Sequence, residues 1–214
     1  MSIETIVHIV DDDPEFRESL NLMVGSVGLI ARMYSSAEEF LNKYENRLDQ
    51  AECILLDIRM PGMGGLKLLE KLVAMELMIP VIMITAYGDV QVATRAMRAG
   101  AVDFFEKPIN RQVVLEQIYA AIKHNELWCM KECDRHKFRD RLALLTNRER
   151  EVMDRIITGE ESKQTSARLG IDVKTVLKHR ARVLEKLQVD TSVNLVHLAY
   201  RFGLVSPNSN SMPE

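Results

Sequence analysis

Four short apolar runs, each stopping at a chemically distinctive residue, constrain the fold of this chain more than any other feature. Ile6-Val7-His8-Ile9-Val10 stops at Asp11-Asp12, Cys53-Ile54-Leu55-Leu56 at Asp57, Val81-Ile82-Met83-Ile84 at Thr85, and Val102 to Phe105 just before Lys107-Pro108. Runs that are apolar throughout belong to strands buried on both faces, as in a parallel sheet. Segments of helical spacing lie between them. Phe16, Leu20, Met23, Val24 and Val27 follow Asp13-Pro14, an N-cap with proline in the first turn. Ser36-Ala37-Glu38-Glu39 has the form of a capping box opening a second helix. Leu66, Leu68, Leu69, Leu72 and Val73 mark the next helix, Val90 to Ala99 another closed by Gly100, and Val113 to Ile122 a last one. Strand–helix alternation with right-handed crossovers predicts an α/β doubly wound domain. Its ligand site should lie at the carboxyl ends of the strands. Asp11, Asp12, Asp57, Thr85 and Lys107 should therefore meet at one rim although they are far apart in sequence.

The rest of the chain reads differently. Residues 123–141 contain no Gly or Pro and are strongly charged, which predicts an exposed helical connector. Its apolar stripe of Leu127, Met130 and Phe138, interrupted by Lys131 and Asp134, supports at most a weak coiled coil. Beyond it the pattern is helical only, with a capping box at Thr146-Asn147-Arg148-Glu149 and punctuation at Gly159 and Gly170. The polar tail from Ser206 is expected to be disordered. The expected partition is thus a first domain at 1–124, a helical linker at 125–141, a small all-α domain at 142–205 and a tail at 206–214.

Charge follows the same partition. The net charge is −3, but residues 1–124 carry 12 Lys and Arg against 18 Asp and Glu, whereas residues 141–205 carry 12 basic against eight acidic side chains. An acidic front and a basic back point to different partners, polyanions facing the second. No apolar run is long enough to span a membrane, and the N-terminus MSIETIVHIVDDD lacks the pattern of a signal peptide. The three cysteines are an odd number in a Cys-poor chain, so no disulfide framework is expected and the cytoplasm is the natural compartment.

Carboxylates gathered at one rim repel one another unless a cation intervenes. Hard oxygen ligands suit Mg²⁺, which binds through one or two carboxylates together with phosphate oxygens. A carboxylate can also act as a nucleophile toward a phosphoryl group, forming an aspartyl phosphate. Lys107 would first balance pocket charge and then meet a phosphoryl oxygen, with the Thr85 hydroxyl donating to another. Asp13, beside Pro14, is read as a helix cap only.

The blocks VDDD at 10–13, LLDIRMPGMGG at 55–65, ITA at 84–86 and EKP at 106–108 resemble the receiver domains of two-component response regulators. That resemblance implies a flavodoxin-like fold with a five-stranded parallel sheet and phosphorylation on Asp57 by a sensor histidine kinase. It further implies Mg²⁺ held directly by Asp12, Asp57 and the backbone carbonyl of Arg59, with Asp11 acting through water. Thr85 and Phe104 match the switch positions and Lys107 the phosphate contact. Phe104 stands where many receivers have Tyr, so packing rather than a hydroxyl must carry the switch. The Lys107-Pro108 bond is expected to be cis by the same resemblance. Beyond its own phosphorylation and dephosphorylation, such a protein is not an enzyme.

Residues 144–188 resemble the LuxR-type helix-turn-helix through LTNREREV, SKQ, LGI and KTVLKHRARVLEKL. Together with a receiver, this resembles FixJ-like transcriptional regulators. The resemblance implies double-stranded promoter DNA as partner, a homodimer when phosphorylated, and RNA polymerase as a further contact. At about 100° per residue, Val176, Val183 and Leu187 share one helix face with the stem of Arg180, and Lys174, Lys178, Ala181 and Glu185 fall opposite. Lys174 and Lys178 are the expected groove-facing residues, Arg182 and Lys163 are expected to reach phosphates, and Thr175 and Leu177 complete the expected DNA-binding set, Leu177 either touching a thymine methyl or weakening phosphate or base contact. The chain departs from the family at Thr165-Ser166, where Ile-Ala is usual, and at Leu177, where Lys is common.

Cys129, Cys133 and His136 share a helix face but leave a tetrahedral zinc site one ligand short. Cys53 is read as core, His8 as a strand residue, His179 as a packing or phosphate-contact residue, and Trp128 as a marker of a domain or dimer contact. An enzyme alternative, a haloacid-dehalogenase-like phosphatase built on Asp11-x-Asp13, lacks its second acidic pair near 102–107 and leaves Asp57 unexplained. A receiver working by protein contacts only is opposed by the helix-turn-helix.

Overall fold

The structure, a computed structural model, describes residues 4–204 apart from 87 and 89, so the polar tail at 206–214 lies outside the described residues. The chain divides into two compact units, Met1–Cys133 and Asp134–Glu214. In the first, β1 (Glu4–Val10), α1 (Pro14–Gly25), β2 (Ile30–Tyr34), α2 (Ala37–Lys43), β3 (Gln50–Asp57), α3 (Gly65–Ala74), β4 (Val81–Thr85), α4 (Val90–Arg98) and β5 (Asp103–Glu106) alternate, followed by α5 (Arg111–Ala143), which runs past the end of this unit. The sheet order is β2-β1-β3-β4-β5, and every neighbouring pair is parallel.

β3 shows why apolar runs without alternation make central strands. All eight of its residues are buried. Ile54 and Leu56 join Val10, Phe40, Leu68 and Leu72 on one face, and Cys53 and Leu55 join Leu20, Val24, Val114 and Ile118 on the other. Each such side chain contributes about 1.5–3 kcal/mol on burial. β2, which no apolar run announces, is an edge strand, and only Tyr34 of it is buried. Asp13 caps α1 by accepting from the N–H groups of Glu15 and Phe16 at 2.9 and 3.2 Å. Ser36 caps α2, but Glu39 reaches back to the Ser35 N–H rather than to Ser36 itself.

α5 stays attached to the sheet beyond its apolar turns. The buried Asn125 side chain accepts from the Glu52 N–H and donates to the Met78 carbonyl, both at 2.8 Å, and Cys129 Sγ lies 3.3 Å from the Gln50 carbonyl. Two backbones that the sheet leaves unpaired are satisfied there by one helix face. Above them, buried His8 sits 3.1 Å from the Tyr34 hydroxyl and 3.3 Å from Glu52, ringed by Tyr34, Phe40 and Tyr44. Cys53, Cys129 and Cys133 are free thiols.

In the second unit α6 (Asn147–Ile157), α7 (Ser162–Leu169), α8 (Val173–Leu187) and α9 (Ser192–Arg201) pack around Phe138, Val152, Ile156, Val183, Leu187 and Leu195. Thr146 and Glu149 form the expected reciprocal capping box. Glu149 also binds Lys186 Nζ at 2.6 Å, and that ammonium, with the Thr146 N–H, holds its carboxyl down to about 2.

Thr165 is fully buried, and among the described residues its hydroxyl has no hydrogen-bond partner. A buried unsatisfied polar group costs about 1–3 kcal/mol. Thr165→Val should therefore raise the midpoint of this unit's unfolding transition by several degrees in calorimetry of the whole chain. A lowered midpoint would show that the hydroxyl serves the fold.

Candidate functional site

The carboxyl ends of β1 and β3 lie side by side, Val10 pairing with Leu56. Each strand then delivers a carboxylate to the same rim. Asp11 and Asp57 are 2% and 5% exposed. Lys107, just after β5, reaches between them, its Nζ 2.8 Å from Asp11 Oδ2 and 2.9 Å from Asp57 Oδ1. The Lys107-Pro108 bond is cis. Asp57 Oδ2 accepts the Arg59 N–H at 2.6 Å, and Asp11 Oδ1 accepts the Asp13 N–H at 2.9 Å. The Lys107 N–H donates to the carbonyl of Thr85, which ends β4 and is buried. Behind Asp57, Gly65 leaves no room for a side chain, since a Cβ there would lie 2.0 Å from the Asp57 carbonyl oxygen.

Burial pushes the Asp57 carboxyl above its ordinary range, and the Lys107 ammonium opposes that rise. Burial pulls Lys107 down, but Asp11 and Asp57 outweigh it and hold the ammonium charged. One cation thus serves two buried carboxylates, with Asp12 exposed next to Asp11. The rim is built of hard oxygens, a donor set that fits a hard divalent cation. Among the described residues, no three His, Cys, Asp or Glu side chains converge as a ready-made metal cage. Asp11 and Asp57 turn to Lys107.

The half-buried Phe104 lies on β5 opposite Met83 of β4 and packs against the core shared with α3 and Ala96 of α4. The pocket rim and this aromatic side chain are joined through β4, whose last residue is Thr85.

The second unit presents a different surface. α7 ends at Gly170, whose φ of 64° lets the chain turn at once into α8. Val176, Val183 and Leu187 are buried along α8, as the helical spacing requires. Lys163, Lys174, Thr175, Leu177, Lys178 and Arg182 are all exposed. Arg180 is used internally, donating to the Glu160 carbonyl and the Ser192 hydroxyl at 3.1 and 3.3 Å. The result is a helix with a dry face toward α6 and α9 and a basic face toward solvent.

A family model described as "Response regulator receiver domain" matches residues 7–119, and one described as "Bacterial regulatory proteins, luxR family" matches residues 143–199. The chain belongs to the two-component response regulators with a LuxR-type DNA-binding domain. It is 35% identical over 195 residues to the transcriptional regulatory protein TdiR of Thauera aromatica, a match covering 91% of this chain and 85% of that protein. It is 38% identical over 197 residues to the transcriptional regulatory protein FixJ of Rhizobium meliloti, covering 92% and 96% of the two chains. The solved low-resolution structure of the response regulator StyR superposes with a TM-score of 0.84 at 36% identity, covering 92% of this chain and 99% of that one. This response regulator is accordingly a transcriptional regulator of the two-component type and not a metabolic enzyme. Its receiver implies a histidine kinase as partner, and its LuxR-type unit implies DNA binding. Among the described residues no helix is long and apolar enough to cross a membrane.

Sequence reasoning did not find two α1 residues at the pocket of this response regulator. Arg17 donates to the Asp11 carbonyl at 2.5 Å, and the Phe16 ring lies 3.9 Å from Lys107 Nζ. The available signal was position: both follow the Asp13 cap within the first turn of the helix that starts at the pocket.

Proposed function

We propose that Asp57 accepts a phosphoryl group from a sensor histidine kinase, and that the modified receiver (1–124), acting through the helical linker (125–141), promotes dimerisation and promoter binding by the helix-turn-helix unit (142–205). The observation carrying this reading is the buried Asp57 carboxylate held 2.9 Å from the Lys107 ammonium at the strand ends. A carboxylate oxygen of Asp57 attacks phosphorus; the P–N bond to the kinase histidine breaks and the imidazole keeps the electron pair. Hydrolysis later adds water to phosphorus, breaks the new P–O bond and returns carboxylate and inorganic phosphate. Lys107 neutralises the resting carboxylate and then the phosphoryl oxygens, while Thr85 offers its hydroxyl and Phe104 repacks. Asp12, Asp57 and the Arg59 carbonyl would hold Mg²⁺, with Asp11 reached through water. The ion supplies charge neutralisation of the transferring group. The cytoplasm is the compartment this reading implies, and RNA polymerase a further contact at the promoter.

Asp12→Ala removes one hard ligand and should weaken Mg²⁺ binding and slow phosphorylation from acetyl phosphate. Titration of intrinsic Trp128 and Tyr fluorescence with Mg²⁺ measures this, and an unchanged affinity would remove Asp12 from the ligand set. On the other unit, Lys178→Ala should cost about 1–3 kcal/mol of operator binding and relax sequence preference or reduce the salt slope. Operator binding that survives intact across a salt series would reject the outward face of α8 as the reading surface.

A further inference from the structure

Lys107 makes a contact that its charge partners do not require. Its ammonium lies 2.8 and 2.9 Å from Asp11 and Asp57, and also 3.9 Å from the centroid of the Phe16 ring. Phe16 is fixed locally. It stands in the first turn of α1, its N–H bonded to the Asp13 cap at 3.2 Å, and its half-buried side chain packs against the core formed with Val114 and Ile118. The ring is therefore held by the helix cap and the core, and Lys107, on a flexible stem, comes to it. An aromatic face attracts an ammonium most strongly where water is thin, and the Lys107 side chain is only 18% exposed.

The two kinds of contact behave differently during phosphoryl transfer. When Asp57 becomes an acyl phosphate, the carboxylate oxygen that paired with Lys107 is consumed or displaced, and the ion pair must rearrange. The ring carries no charge, forms no bond to phosphorus and does not change. It keeps the ammonium at the pocket mouth while its anionic partner changes identity.

We propose that Phe16 is a positioning residue for the phosphoryl chemistry: its ring holds the Lys107 ammonium where charge develops on the transferring phosphoryl oxygens. The proposal rests on Asp57 being the acceptor. In uptake from acetyl phosphate, an Asp57 oxygen bonds to phosphorus and acetate leaves with the electron pair of the broken P–O bond. In hydrolysis, water oxygen bonds to phosphorus and the Asp57 carboxylate leaves with the pair. Charge builds on the same equatorial oxygens in both steps, so a poorly placed Lys107 slows both.

The test uses the full-length protein with acetyl phosphate and saturating Mg²⁺, measuring uptake and self-hydrolysis separately. Phe16→Leu keeps an apolar side chain without a π face; Phe16→Tyr keeps the ring. The leucine variant should slow both steps roughly three- to tenfold while leaving Mg²⁺ affinity within about twofold, and the tyrosine variant should recover most of the rate. In a Lys107→Ala background Phe16→Leu should change nothing further, because the ring acts through the missing ammonium. Phe16→Met replaces Phe16→Leu if the latter does not fold. Wild-type rates in the leucine variant, or an equal slowing with and without Lys107, overturn the proposal. Undiminished labelling of Asp57→Asn would instead overturn the assignment of the acceptor beneath it.

Discussion

Asp57→Asn should take up no acid-labile phosphoryl group from acetyl phosphate and Mg²⁺ under conditions that label the wild type fully. The amide has nearly the shape of the carboxylate but lacks its nucleophilic anion, so uptake should fall roughly a thousandfold or more. The fold should survive the change. Lys107 keeps Asp11 at 2.8 Å, and the oxygen of the substituted amide can still accept the Arg59 N–H. Burial already disfavours the charged form of Asp57, so losing that charge removes a desolvation cost together with half of a shared ion pair. Thermal stability close to wild type, combined with absent labelling, is the expected pair of results. Undiminished labelling would move the acceptor to another carboxylate, with Asp11 and Asp12 the nearest in sequence to the same rim.

How legible this molecule was depends on which interactions leave a periodic trace. β3, buried on both faces, shows itself as an uninterrupted apolar run, and the site residues follow because topology places strand ends together. β2 leaves no such trace, since an edge strand needs only one buried position and Tyr34 supplies it. The outward basic face of α8 was legible because one face packs and the other does not. Asn125 was not, because a buried amide that bonds two backbones looks in sequence like any polar residue in a charged helix. It does fall four residues after Ala121 and four before Cys129, both buried, so the phase of the helix contained the information. Phe16 fitted the apolar spacing of α1 equally well as a core residue, and nothing in spacing separates a ring facing core from one also facing an ammonium.

Phosphorylation should double the sedimenting mass of the protein and raise its operator affinity by about a hundredfold. A single helix-turn-helix reads a short half-site, and a dimer gains by placing two on one duplex, the second contact acting at high effective concentration. Control by phosphorylation then requires a receiver surface that changes at a distance from Asp57. The route available runs along β4. Its last residue, Thr85, lies at the pocket, and Phe104 packs beside Met83 of the same strand. A Thr85 hydroxyl drawn toward the phosphoryl group opens space into which Phe104 can turn, which makes two discrete packings rather than a continuous deformation. The surface over those residues suits association. On α4 and at the entry to β5, Val90 is 79% exposed and Met97 and Val102 each 47%, with Arg95 and Arg98 beside them. These exposed apolar side chains, with charge beside them, are where the expected interface should form. The stripe of Leu127 and Met130 on α5, interrupted by Lys131 and Asp134, is too thin to hold a permanent dimer, so the unphosphorylated protein should sediment as a monomer. Met97→Glu should then leave phosphorylation of Asp57 intact while abolishing the increase in mass and most of the gain in affinity. Equal mass with and without the phosphoryl donor, at unchanged operator affinity, would show that association is not how the signal reaches DNA.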